Sequence, residues 1–157
     1  MIEPKFKTNR RCVVVSGKWF DSYSGKFIYS AKRIDIDHII PLKKAHTLGA
    51  NKWDKKKRKQ FANDPDNLLP VSLRLNRQKG AKGPTKWMPP DKSYQCNYLI
   101  KWLTLTEKYS LKVAEESTAE SSLRTKIKSC NEPNRLPASF DKPTKRNKNN
   151  TESPNQN

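Results

Sequence analysis

The chain predicts an α+β fold: a small antiparallel sheet early in the sequence, flanking helices after it, and a tail with no core of its own. Three observations carry this. Short β-branched or alternating runs, bounded by turn residues, occupy residues 12–42. Apolar residues recur at helical spacing from Ser93 to about Lys112. Beyond Val113 the aromatic residues vanish except Phe140, and Ser, Asn, Lys, Pro and Glu take over. At 157 residues the length suits one domain with an extension. Residues 1–112 are assigned to the domain, 113–130 to a weakly helical extension and 131–157 to a disordered tail.

Residues 1–10 are a charged lead-in. Cys12–Ser16 reads as a strand that Gly17 ends. Trp19, expected in the core, and Phe20 precede the turn cluster Asp21-Ser22-Tyr23-Ser24-Gly25, and Lys26–Ser30 forms a second strand. From Arg33 to Leu42 the chain runs Arg-Ile-Asp-Ile-Asp-His-Ile-Ile-Pro-Leu. As a strand, it sends Ile34 and Ile36 into a core and puts Asp35 and Asp37 together on the opposite face. Lys43–Leu48 is a short helix stopped by Gly49, and Trp53–Ala62 a longer one. Asp64, Pro65 and Asp66 make a turn, and Leu68–Val71 a short strand. Ser72 then caps a helix that runs through Lys79 to a stop at Gly80. Asn76 and Lys79, three residues apart, share a face of that helix and are expected to meet something polar. Trp87 and Met88 pin a Gly- and Pro-rich loop ahead of the longest helix, which starts at Ser93.

The formal charge is +18, and residues 1–112 hold 25 Lys and Arg against 9 Asp and Glu, a net of +16. A small domain so charged repels itself, which makes a polyanionic partner the natural explanation, with nucleic acid ahead of a membrane surface. Five adjacent cations, Lys55, Lys56, Lys57, Arg58 and Lys59, cannot all face one way on a helix; they read as a solvated surface able to contact phosphates. Cys12, Cys96 and Cys130 are odd in number and far apart, so separate reduced thiols are expected. No apolar run approaches the roughly 18 residues of a membrane span and the first residues show no apolar signal region, so a cytoplasmic location is expected.

Asp37 and His38 stand together at the end of an otherwise hydrophobic element, a pairing able to hold a metal and activate water. The same residues also suit a half-buried strand with solvated acids and one structural histidine. His46, the other histidine, either lines the same site or packs a helix, with packing favoured.

Joined in order, Asp-Ile-Asp-His-Ile-Ile-Pro-Leu, Phe-Ala-Asn-Asp-Pro-Asp-Asn-Leu, and Asn-Arg-Gln-Lys-Gly followed by Trp-Met-Pro-Pro resemble HNH endonucleases, in the variant with Asp-His first and Asn last, over about Gly17 to Pro90. Many of the similar nucleases are secreted. The resemblance implies a ββα unit gripping one divalent metal. It makes Asp37 and Asn76 metal ligands, His38 the general base on water, and Asn67 the residue that holds the His38 loop. Lys79 and Arg77 would steady phosphates. Two oxygen ligands favour Mg²⁺ or Mn²⁺ over Zn²⁺. The expected function is metal-dependent hydrolysis of phosphodiester bonds, mainly in DNA, with RNA a further candidate. Its rivals are a non-catalytic nucleic-acid-binding module of the same fold, and the cleaving domain of a larger defence, phage or mobile-element system directed by a protein partner.

Overall fold

The computed structural model describes residues 5–7, 10–112 and 117–130, with side chains described for residues 14–112, 123 and 125–130. The tail expected to be disordered, residues 131–157, lies outside the described residues. Among the described residues the architecture is α+β, with two small antiparallel sheets and five helices.

The first sheet is three-stranded in the order β1 (Lys5–Lys7), β2 (Arg10–Asp21), β3 (Lys26–Ser30). β2 does not stop at Gly17. It runs on for twelve residues, with a register shift between Ser16 and Trp19. A side chain at Gly17 would meet the Trp19 ring at 2.8 Å, so here glycine makes room for an indole within a strand. The Asp21–Gly25 cluster closes the hairpin as expected: Gly25 N–H and Ser24 N–H donate to the Asp21 carbonyl, and Gly25 has φ 68°.

The second sheet is the pair β4 (Ile34–His38) and β5 (Leu68–Ser72), with Asp37 opposite Leu69 and His38 opposite Leu68. Between them lie α1 (Leu42–Thr47) and α2 (Lys55–Ala62). α2 starts two residues later than Trp53, because the Asp54 carboxylate accepts the Lys57 N–H and caps it. α3 (Leu73–Lys79) follows β5 directly and ends at Gly80, φ 53°.

α4 (Lys92–Lys108) braces the molecule, with Tyr98, Leu99, Trp102 and Leu105 buried on one side. Two aromatic groups form around it. Tyr23, Trp87 and Tyr98 meet with ring centres 5.0 to 5.9 Å apart, and Trp53, Phe61 and Tyr109 with 4.9 to 5.6 Å. Each such pair contributes about 0.5–1.5 kcal/mol beyond the area it buries. Ile39, Ile40, Val71 and Leu75 belong to the same buried cluster as these rings, so the β4–β5–α3 unit rests on the core.

α5 (Ser117–Cys130) is tied to α4 by a disulfide between Cys96 and Cys130, whose Cα atoms lie 5.6 Å apart. The expectation of separate reduced thiols is therefore corrected for these two residues. Thirty-four positions separate them in sequence, and the α4–α5 packing that joins them has no local signature.

Candidate nucleic-acid site

Along β4 the expected faces are reversed. Ile36 is 52% exposed, whereas Asp37 is only 4% exposed. The apolar burial comes one step later, from Ile39 and Ile40. The acidic face of β4 is instead covered by α3, which presents Asn76 and Lys79 one turn apart. A carboxylate can enter a protein interior where matching donors wait.

Each acid finds its own partner there. Asn76 Nδ2 donates to Asp35 Oδ2 at 2.9 Å, and the other Asp35 oxygen accepts the Ile36 N–H. Lys79 is fully buried, its ammonium 3.0 and 2.9 Å from the two Asp37 oxygens and 2.8 Å from the His38 carbonyl oxygen. The Tyr23 hydroxyl also donates to Asp37. Burial pushes the Lys79 ammonium below its ordinary value, against the opposing pull of Asp37. For Tyr23, burial and then the Asp37 charge push the hydroxyl far above the tyrosine range, so it stays a donor.

The structure thus joins Asn76 to Asp35, not to Asp37. The phosphate contact expected of Lys79 is replaced by an inward ion pair, because no part of the side chain reaches solvent. Asp35 and Tyr23 were not read as site residues from sequence. Asp35 could have been, since it shares the face of Asp37 by simple alternation; nothing local announces Tyr23.

His38 Nε2 lies 2.9 Å from the carbonyl oxygen of Ala62, the last residue of α2. A carbonyl only accepts, so Nε2 carries the proton and the Nδ1 lone pair is the basic one in the neutral ring. Asn67, fully buried, brackets the residues that follow: its Oδ1 accepts the Ile40 N–H at 2.8 Å, its Nδ2 donates to the Ile40 carbonyl, and its own carbonyl accepts the Ile39 N–H. The turn carrying Ala62 and Asn67 is held by Asp64, which accepts from Tyr109 Oη and Lys108 Nζ, both at 2.8 Å. Burial alone would raise the Asp64 carboxyl, but the Lys108 and Tyr109 hydrogen bonds hold it below its ordinary value.

The remaining cations spread as expected. Arg77 is exposed, and so are Lys55, Lys56, Arg58 and Lys59, while Lys57 is half-buried with its ammonium 4.8 Å from the centre of the Trp53 ring. His46 is exposed rather than packed, at the edge of an apolar hollow that includes Trp53 and Arg58.

As donors for a metal, the side-by-side Asp35 carboxylate and Asn76 amide fit a hard cation that keeps most of its own waters. Among the described residues no three His, Cys, Asp or Glu side chains converge where they could hold a metal ion.

Residues 2–120 match the family described as GmrSD restriction endonucleases, C-terminal domain. The chain belongs to this family. It is a family of restriction-endonuclease domains, in agreement with the nuclease resemblance read from the sequence. The protein is also 41% identical, over 118 residues, to a protein of Arthroderma benhamiae named "Uncharacterized secreted protein". The match covers 73% of this sequence and 58% of that protein, so it accounts for little more than half of its relative's length. No solved structure matches. The expected cytoplasmic location is corrected by this relative, which is named as secreted, and the Cys96–Cys130 disulfide agrees with the correction.

Proposed function

We propose that the protein is a metal-dependent endonuclease that hydrolyses phosphodiester bonds, chiefly in DNA, and that it works outside the reducing cytosol. One observation carries the reading. At the end of β4, His38 is held by a carbonyl that leaves Nδ1 as its base, while Asn76 from α3 lies on the acidic face of the same strand. In this reading His38 Nδ1 takes the proton from the attacking water, and the Ala62 carbonyl fixes the tautomer. Asn67 is a positioning residue, holding the Ile39–Ile40 segment and with it the ring.

Asp35 and Asn76 would hold a Mg²⁺ or Mn²⁺ ion, and Asp37 would join them where Lys79 yields it. Bound there, such an ion supplies Lewis-acid polarisation of the scissile phosphate. Arg77 and the exposed cations of α2 contribute phosphate contacts, which position the strand without reading its sequence.

The test is incubation of the purified protein with supercoiled plasmid, linear DNA and RNA, with Mg²⁺, Mn²⁺, Zn²⁺ or chelator. DNA cleavage with Mg²⁺ or Mn²⁺ that disappears with chelator and in His38→Ala is expected. Cleavage by His38→Ala at the parental rate would overturn the assignment, as would activity supported by Zn²⁺ alone.

A further inference from the structure

Beside the β4–α3 unit lies a groove of about 680 Å³, lined by β3, the 3-10 turn Ala31–Arg33 and the start of α3. β3 is an edge strand, since the first sheet ends with it. Its outward face carries Phe27 and Tyr29, which are 50% and 56% exposed. Two positions apart on one strand face, the two residues are separated along the backbone by roughly 7 Å, about twice the rise per base of a stacked strand. A cation already sits on one of them: Lys18 Nζ lies 4.2 Å from the centre of the Phe27 ring. The Tyr29 ring, by contrast, meets no aromatic or hydrogen-bonding partner among the described residues, and more than half of the residue is exposed.

The charge of the groove matches a phosphate backbone. Lys26, Lys32, Arg33 and Arg74 line it. Its one carboxylate, Asp21, is fully buried and already accepts from the Tyr23 N–H and Ser24 Oγ. Arg33 and Arg74 stand two residues from Asp35 and Asn76, so the cationic end of the groove adjoins the proposed site. Exposed rings interleaved with cations are the combination that holds unpaired bases, because every base has a π-face to stack while its phosphate is neutralised. A duplex keeps its bases stacked inside and gives these rings little to bind.

We propose that this groove binds unpaired DNA, with a base stacked on Tyr29 and the neighbouring phosphates on Lys32, Arg33 and Arg74. The inference rests on the nuclease reading and narrows its substrate to strands that are single or locally open.

Fluorescence anisotropy tests it, with the full-length protein in chelator and two labelled probes of equal length: oligothymidylate and a closed hairpin duplex. The parent protein is expected to bind oligothymidylate more tightly. Tyr29→Ala should weaken that binding about tenfold while the hairpin affinity moves less than threefold, and Tyr29→Trp should restore the preference. Equal affinity of the parent protein for both probes would overturn the proposal, as would a Tyr29→Ala variant that keeps the preference. Plasmid cleavage by the parent protein with Mg²⁺, measured alongside, separates the two readings. Cleavage without the single-strand preference removes the groove alone; the preference without cleavage removes the nuclease and keeps the groove.

Discussion

Lys79 and Asp37 are a buried pair whose members depend on each other. Removing one partner of such a pair leaves an uncompensated charge in the interior and costs about 3–5 kcal/mol. Lys79→Met is therefore expected to lower unfolding stability by that amount in urea titrations. Lys79→Met combined with Asp37→Asn, which keeps an acceptor for Tyr23, should recover more than half of the loss. If the single variant is as stable as the parent, the ion pair does not anchor α3 to β4. A second expectation separates the two acids of β4. Because Asp35 holds Asn76 and Asp37 holds Lys79, Asp35→Ala and Asn76→Ala should weaken Mn²⁺ binding to the DNA-free protein, read by calorimetry, at least fivefold. An Asp35→Ala variant with parental Mn²⁺ affinity would return the ligand role to Asp37.

Among the elements, α5 is the one whose place depends on a covalent link. Closing a loop across 34 positions removes denatured-state freedom worth about 4 kcal/mol in the chain-entropy treatment. Reduction should lower the melting temperature and open α5 to limited proteolysis that it resists when oxidised, with residues 10–112 retained as the resistant fragment. Mass spectrometry of the digest checks this; a reduced protein no more sensitive than the oxidised one would show that packing alone holds α5. The helices themselves follow from local chemistry. The Asp54 cap, Gly49 with φ 115° and Gly80 are each written in the residues beside them, whereas the docking of α5 on α4 is not.

At the scale of the whole molecule, the core is rich in buried tyrosines. Burial raises the hydroxyls of Tyr94 and Tyr109 to about 12, and those of Tyr23 and Tyr98 further. A group with a raised folded-state value gives stability that is fully present below its unfolded value, about 10 for tyrosine, and lost as pH rises toward the folded value. Stability should thus fall progressively above about pH 10, with the tyrosinate absorbance of these four residues and the loss of circular dichroism appearing together in a Tyr29→Phe protein, which lacks the exposed tyrosine. Tyrosinate formation in that protein while it stays folded would contradict the burial of these four side chains. On the acid side the sign reverses. Asp64, held below its ordinary value, contributes stability above that value and loses it as pH falls.

What the sequence by itself determined is what neighbouring residues decide among themselves. Turn and cap residues mark the ends of β3, α1 and α3, the spacing of Tyr98, Leu99, Trp102 and Leu105 marks α4, and the order Asp37-His38, Asn67, Asn76 carries the family resemblance. Gly17 misled because a glycine that ends a strand and one that makes room for Trp19 look alike until the indole is placed. Only the tertiary structure decided which face of β4 turns inward, that Lys79 is a buried partner and not a surface cation, that Tyr23 reaches Asp37, and that Cys96 meets Cys130. Alternation says that Asp35 and Asp37 share a face, but burial of that face depends on whether another element brings donors to it. α3 does so from about 40 positions away, with Asn76 and Lys79 41 and 42 residues beyond their acids.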